Sequence, residues 1–237
     1  MSNAGYIALT RQSGLMREMQ VVAHNVANLS TTGFRREGVV FSEHLRALEG
    51  DSSLSMAAAH GRAISPMQGA LTMTGGALDM AIEGAGYFLV DTPDGERLTR
   101  AGAFMTDELG EIVSSQGHRL LDAGGAPIFV PPDAREVSLA ADGTLSADGQ
   151  PLAQIAVVEP AEPHELQRQA GVLLRAESGV VPVLEPNLRQ GFLEESNVDA
   201  VAEIARMIEV QRGYELGQQF LEREDERTRS VIRTLSR

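Results

Sequence analysis

The chain has 237 residues, a formal net charge of −13 and 43% hydrophobic residues, with 24 glycines, no tryptophan and no cysteine. That length holds one large domain or two modest ones, and the hydrophobic content argues against wholesale disorder. The acidic balance excludes nucleic acid or an anionic membrane as main partner, since both need a basic face, and the absence of cysteine excludes disulfide and thiol chemistry.

The N-terminus, MSNAGYIALTRQSGL, shows no basic region followed by an apolar core and a cleavage site, so no secretory signal peptide is expected. Further on, Leu15, Met19, Val22, Val26 and Leu29 step by 4, 3, 4 and 3, which predicts a helix with a heptad seam over the first thirty residues. Gly5 and Gly14 weaken that helix by about 1 kcal/mol per interior glycine. So narrow a seam is expected to order mainly against a second helix and against neighbouring copies. Its end, NVANLSTTGF, is unusual. Asn25 and Asn28 read as buried or half-buried amides that select one register among several helix pairings, at a cost in stability. Ser30, Thr31 and Thr32 compete for helical hydrogen bonds. Gly33 permits the left-handed turn that ends the helix, and Phe34 anchors the emerging chain.

Residues 35–68 have weak periodicity and read as a linker or extended arm. The charge-free interval from Ala63 to Leu78 is broken by Pro66, Gly69, Gly75 and Gly76, so it predicts no transmembrane helix. Residues 69–190 read as β-rich. Strands are expected at Tyr87–Val90, Arg97–Arg100, Pro127–Val130, Val137–Ala140 and Gln154–Val158, with turn signals between them. Asp-Gly pairs at Asp94, Asp142 and Asp148 favour tight hairpins. Many short strands at close spacing suggest a sandwich or barrel-like module.

Residues 191–237 predict a second helix. Val198, Val201, Ala205 and Ile208 form its apolar line, and Leu216, Phe220, Val231 and Leu235 carry that side onward. Ser196 with Asp199 reads as a capping box, with Asn197 as the alternative cap. The run from Glu222 to Arg227 reads as a solvated face. The fold class is therefore α+β, with a helix at each end and an all-β middle.

A catalytic centre is not indicated. The five histidines are scattered, and none stands three or four residues from another, so no metal site is expected. Gly84-Ala85-Gly86 precedes a strand and lacks a following lysine, which suits a tight turn better than a phosphate cradle. There is no Gly-x-Ser-x-Gly elbow.

Four blocks carry a resemblance. VAHNVANLSTTGFRRE, QGALTMTGGALDMAIEGAGYFLV, LTRAGAFMTDELGEIVSSQGHRLL and RQGFLEESNVDAVAEIARMIEVQRGYEL resemble, in this order, the signature blocks of bacterial flagellar axial proteins, the rod and hook family. The chain is too short for a hook protein. It also lacks the Gly-x-Gly-Val stretch usual in distal-rod members, so it is more similar to the proximal-rod branch. The resemblance implies a structural subunit of the basal-body rod, without cofactor or metal, exported through the flagellar type III channel and located where the rod spans the periplasm. It implies partners among the other rod proteins, itself and the export apparatus, with no nucleic acid and no membrane insertion. It also implies that both helices form a coiled-coil-like core. The assembly interface would then run through Leu15, Met19, Val22, Asn25, Val26, Asn28, Leu29, Gly33 and Phe34. From the C-terminal block it would take Ser196, Asn197, Val198, Val201, Ile204, Ile208, Arg212, Tyr214 and Glu215. The alternatives are a distal-rod subunit, or a soluble β-rich binding module or enzyme.

Overall fold

The computed structural model describes residues 3–46 and 54–235. The chain divides into two units. One comprises Met1–Ala27, Glu37–Ala63 and Asp199–Arg237, and the other Asn28–Arg36 and Ile64–Val198. The class is α+β, with helices at both ends and strands between them.

The first unit holds helix α1 (Asn3–Ala27), strands β1 (Glu37–Arg46) and β2 (Leu54–Ile64), which pair as a two-stranded sheet, and helix α2 (Ala200–Leu235). The helices run antiparallel. Asn25 meets Glu203 at 3.3 Å, Glu18 meets Arg206 Nε at 2.6 Å, and Gln12 meets the Tyr214 carbonyl at 3.4 Å. The inward line of α1 is Gly14, Glu18, Val21, Val22 and Asn25, all buried. Of the expected heptad seam only Val22 is buried, while Leu15, Met19, Val26 and Leu29 are half-buried. The face is rotated because two polar side chains inside it have partners, and a satisfied polar group tolerates burial.

Helix α2 starts at Ala200, later than expected. Its cap is Asp199, whose Oδ1 accepts hydrogen bonds from the Val201 and Ala202 amides at 2.9 and 3.0 Å. Ser196 and Asn197 are not the cap: Ser196 Oγ accepts from the Val198 amide, and the Asn197 side chain is committed elsewhere in its own unit. The inward line of α2 is Glu203, Met207, Val210, Tyr214, Gly217 and Leu221, a 4-3 spacing of buried or half-buried residues. The apolar residues that the sequence marks out, Val201, Ile204 and Ile208, lie on the other side and are 78%, 51% and 46% exposed. Asp225 and Arg229 pair within the helix at 2.7 Å, and Arg206 pairs with Glu18 and Glu209.

The second unit is β apart from a short 3-10 helix at Pro163–Glu165. Its strands are β3 (Leu71–Met73), β4 (Met80–Ile82), β5 (Tyr87–Thr92), β6 (Gly95–Thr99), β7 (Phe104–Thr106), β8 (Ile112–Ser114), β9 (Arg119–Leu120), β10 (Val137–Leu139), β11 (Thr144–Ala147), β12 (Gln150–Gln154), β13 (Val157–Pro160), β14 (Leu166–Ala170), β15 (Leu173–Ala176), β16 (Val180–Pro182), β17 (Leu188–Gln190) and β18 (Phe192–Glu194). A nine-stranded antiparallel sheet runs β14-β15-β6-β5-β9-β8-β7, with β13 pairing both β5 and β16. Strands β10-β11-β12 form a second sheet, and β4 with β17 and β3 with β18 form two-stranded ones.

Strand β5 is buried on both faces, which is why YFLV is continuously apolar instead of alternating. Phe88 and Val90 join one cluster with Met80, Ile112 and Leu145, while Tyr87 and Leu89 join another with Leu98 and Leu174. The Asp-Gly hairpins form as expected between β5 and β6, β10 and β11, and β11 and β12.

Two strand expectations fail. Pro127–Val130 makes isolated bridges only, through Pro127 to Leu121 and Phe129 to Glu111. Ile128 and Val130 still point inward and Phe129 outward, so the alternation survives without a ladder. Gln154–Val158 is not one strand. The chain leaves β12 after Gln154 and enters β13 at Val157, switching sheets at Ile155-Ala156.

Candidate assembly interface

In the helical unit, Asn25 is fully buried. Its Nδ2 donates to the Glu37 carbonyl at 2.8 Å, and its Oδ1 accepts from the Glu37 amide at 3.0 Å. The side-chain amide thus mimics a strand partner for β1, and the same Nδ2 reaches Glu203 Oε2. The Glu37 carboxylate is itself buried, 3.9 Å from His24 Nδ1 and 3.6 Å from Arg62 Nη1.

Leu15 packs where α2 carries Gly213, and Gln12 where it carries Gly217. A cleft of about 490 Å³ opens beside them, lined by Ala8, Arg11, Gln12, Leu15, Leu216, Gly217 and Phe220. On α2, Val201, Ile204, Ile208, Arg212 and Glu215 are exposed, and Tyr214 is half-buried. Glu215 accepts from Gln211 Nε2 at 3.1 Å. The hydrogen bond from Arg206 to Glu18 raises the Arg206 pKa.

The other expected residues lie in the β unit. Thr31 Oγ1 donates to Asn28 Oδ1 at 3.1 Å. Gly33 has φ +69°, and a Cβ there would overlap the backbone at Arg100-Ala101. Only glycine fits that conformation and that approach. Gly33 does not end the helix, as the sequence suggested. Helix α1 stops at Ala27, and Gly33 instead seats the chain against the β unit.

Three segments meet there. The Gly33 amide donates to the Glu194 carbonyl at 2.7 Å, and the Asn197 amide donates to the Phe34 carbonyl at 3.3 Å. Asn197 Oδ1 accepts from the Arg36 amide at 2.6 Å, and its Nδ2 donates to the Met67 carbonyl at 2.6 Å. Phe34 is fully buried under the Arg168 guanidinium, 4.2 Å from the ring centroid. Ser196 and Val198 flank this knot and are half-buried, as is Leu29.

At the knot's centre one carboxylate serves two guanidiniums. Arg35 Nη2 is 3.1 Å from Glu194 Oε1, and Arg100 Nη1 is 3.4 Å from Glu194 Oε2. All three side chains are at most 3% exposed. Backbone oxygens supply further acceptors, though neither Nε finds one. Arg35 donates to the Pro66 carbonyl at 2.9 Å and to Met67, and Arg100 donates to the Ile82 carbonyl at 3.0 Å and to Gly84. Burial pushes the Arg100 pKa down to about 10, with Arg35 adding to that and Glu194 opposing it. Burial also raises the phenol pKa of Tyr87, whose ring lies 5.5 Å from the Arg100 guanidinium.

Sequence reasoning missed Arg35, Arg100, Glu194 and Glu37. A signal was present for Arg100 alone, a single charge inside the otherwise uncharged stretch LTRAGAF. Such residues are rarely fully buried unless paired.

Chemically, these arrangements fasten and present surfaces. Among the described residues no three His, Asp or Glu side chains gather as a metal site, and no helix is long and apolar enough to cross a membrane.

Two long paired helices separated in sequence by a β unit, with the helix-flanking segments knotted side by side, define an α+β structural protein built around its termini. Comparison with known proteins makes this specific. The family described as flagellar hook protein FlgE/F/G D1 domain matches residues 81–147, and the flagellar basal body rod FlgEFG protein C-terminal family matches residues 189–234. The flagellar basal-body rod protein FlgF of Caulobacter vibrioides is 35% identical, with 100% of this chain and 99% of the relative covered. FlgF of Mesorhizobium japonicum is 38% identical over 91% of this chain and 90% of its own. FlgG of Bacillus subtilis is 31% identical over 96% and 97%. The chain belongs to the flagellar basal-body rod protein family. It is a structural subunit of the rod, located in the flagellar basal body.

Proposed function

We propose that the chain polymerises through its two terminal helices, which form a coiled-coil-like core of the rod while the β unit stays outside the contact. The observation that carries this reading is the exposed line Val201, Ile204 and Ile208 on α2. Three large apolar side chains at helical spacing are left 46–78% exposed by the described residues, and an apolar face left in water marks an interaction surface. The half-buried seam of α1, Leu15, Met19 and Val26, is open to completion by the same neighbours.

In this reading residues 1–34 and 191–237 supply the core, residues 35–68 the arm and residues 69–190 the outward domain. Arg212, Tyr214 and Glu215 extend the α2 surface. Gly33, Phe34, Ser196, Asn197 and Val198 support it at one remove, by holding the segments next to each helix. The partners are further copies and other rod subunits, reached after passage through the flagellar export apparatus. The chain works as a building block and not as an enzyme, and neither nucleic acid nor membrane insertion enters its action.

The test is deletion of residues 1–30 in a motile strain. Loss of swimming, and absence of the chain from isolated basal bodies, is expected. Retained motility would overturn the reading.

A further inference from the structure

At the β7 edge of the nine-stranded sheet, the outward face is apolar where a solvated face would be polar. The register sets Met105 of β7 opposite Val113 of β8, and Val113 opposite Arg119 of β9. Glu111 bridges to Phe129, so by strand alternation these five side chains share one face. Phe104, Ile112, Leu120 and Ile128 take the opposite face and are at most 7% exposed. On the outward face Met105 is 56% and Phe129 50% exposed, and Leu109 in the β7–β8 turn is 74% exposed. The Phe129 ring is seated on Gly110, where a Cβ would stand 2.7 Å from it. Only 4% of the chain is aromatic, yet one of those rings is fixed in the open on the same face as an exposed methionine. Aromatic residues and methionine are the types enriched at interfaces, and an apolar cluster left in water marks one.

The charge around this cluster has one sign. Residues 104–114 and 127–133, which build it, contain Asp107, Glu108, Glu111 and Asp133 and no basic residue. Asp107 accepts from the Leu109 and Glu111 amides at 2.9 and 2.8 Å, bonds that leave its negative charge uncancelled. Glu108 and Asp133 are exposed and form no ion pair among the described residues. Arg119 is the cation on the face, and it is outnumbered: it pairs with Asp91 and stands 3.9 Å from Glu111. The Asp91 hydrogen bond raises the Arg119 pKa, and Glu111 and Asp107 add to the rise.

We propose that this face docks a partner chemically unlike the chain itself: a segment that sets an aliphatic side chain on Phe129 and Leu109 and flanks it with lysine or arginine. An acidic rim around an apolar centre favours a basic partner. It opposes self-association through this face, where two copies would bring like charges together. The contact lies wholly on the β unit, so it goes beyond assembly through the terminal helices and does not depend on it.

The purified full-length chain would be titrated with two capped peptides, one with leucine between lysine pairs and one with serine in place of the leucine. Chemical shifts would be followed at low and high salt. The leucine peptide should shift Met105, Leu109 and Phe129, bind roughly tenfold or more tightly than the serine peptide, and weaken as salt rises. Equal binding of the two peptides, shifts centred elsewhere or no binding at all would each overturn the proposal.

Two surface variants separate docking from folding, since Leu109, Glu108 and Asp133 are all exposed. Leu109→Ser should remove the preference for leucine. Glu108→Gln with Asp133→Asn should flatten the salt dependence, and the thermal midpoint of either chain should stay as in the native one. Unchanged binding by both would overturn the docking. In a motile strain, a photocrosslinking amino acid at position 109 should then capture, in isolated basal bodies, a protein other than this chain, at a site next to a lysine or arginine. Capture of another copy alone, or of nothing in basal bodies that contain the chain, would also overturn it. Absence of the native chain from basal bodies would instead overturn the rod reading and leave the titration standing.

Discussion

Arg35 and Glu194, from opposite ends of the β unit's sequence, lie 3.1 Å apart with each side chain only 1% exposed. Arg100 shares the same carboxylate. Removing Glu194 strands two buried cations, and breaking a buried pair in this way costs about 3–5 kcal/mol. Glu194→Gln should therefore lower unfolding stability by about that amount in denaturant titration, where Arg35→Met with Arg100→Met in the Glu194→Gln background should recover part of it. A loss below about 1 kcal/mol for Glu194→Gln would mean that the backbone carbonyls alone hold the guanidiniums.

Gly33 gives a sharper test of the same knot. With φ +69° and the Ala101 backbone where a Cβ would go, Gly33→Ala is both strained and obstructed. Gly149 shares a positive φ of +77° but has open space around its Cβ position. Gly149→Ala should cost about 1–2 kcal/mol, the left-handed penalty alone. Gly33→Ala should cost clearly more in the same denaturation assay. Equal losses would show that the close approach carries no energy.

Asn25 was expected to choose between helix registers. Its amide reaches Glu203 on α2, a contact between the two helices, and also serves both backbone groups of Glu37. Asn25→Val should remove these two hydrogen bonds from the buried start of β1, at about 1–3 kcal/mol. Hydrogen exchange should show the Glu37 amide losing protection before the centre of α1 does. If the Glu37 amide stays protected, Asn25 is not what holds the start of β1.

Alkaline pH reads out Tyr87. Burial raises its pKa above the ordinary 10.0, so the unfolded chain releases this proton first. The stability tied to the neutral phenol is complete below pH 10 and is lost as pH climbs through the raised folded value. Arg100, lowered to about 10, acts with the opposite sign across the same range. Tyr87→Phe should therefore lose less stability than the native chain between about pH 10 and 11 in denaturant midpoints. Parallel curves for the two chains would show that the phenol stays neutral in both states.

The broad plan was legible because periodicity and turn chemistry are local. Two terminal helices, Asp-Gly hairpins and the doubly buried strand around Phe88 all follow from neighbours in sequence. The helix faces were not legible. Glu18 and Asn25 are buried because Arg206 and Glu37 come to meet them, and those partners belong to distant segments. On α2 the inward line includes Glu203 and Gly217, which no hydrophobic pattern selects, while the conspicuous apolar line faces out. The candidate site divided in the same way. The motifs around Gly33 and Asn197 were visible as special, but the reason for them, a shared carboxylate at Glu194, needed three dimensions.

The knot has a consequence for how this architecture can vary. The chain runs through the β unit at Gly33–Arg36, belongs to the helical unit over Glu37–Ala63, re-enters the β unit at Ile64 and reaches Glu194–Asn197, and hydrogen bonds fasten the first and last of these passages side by side. Whatever is threaded from Ile64 to Glu194 begins and finishes at one doorway, because Asn197 also holds Met67 there. Loops such as those at Asp94, Asp148 or Ser178 can then lengthen, shorten or be exchanged wholesale while the doorway keeps its dimensions. A β insert latched at its own threshold is a replaceable cassette.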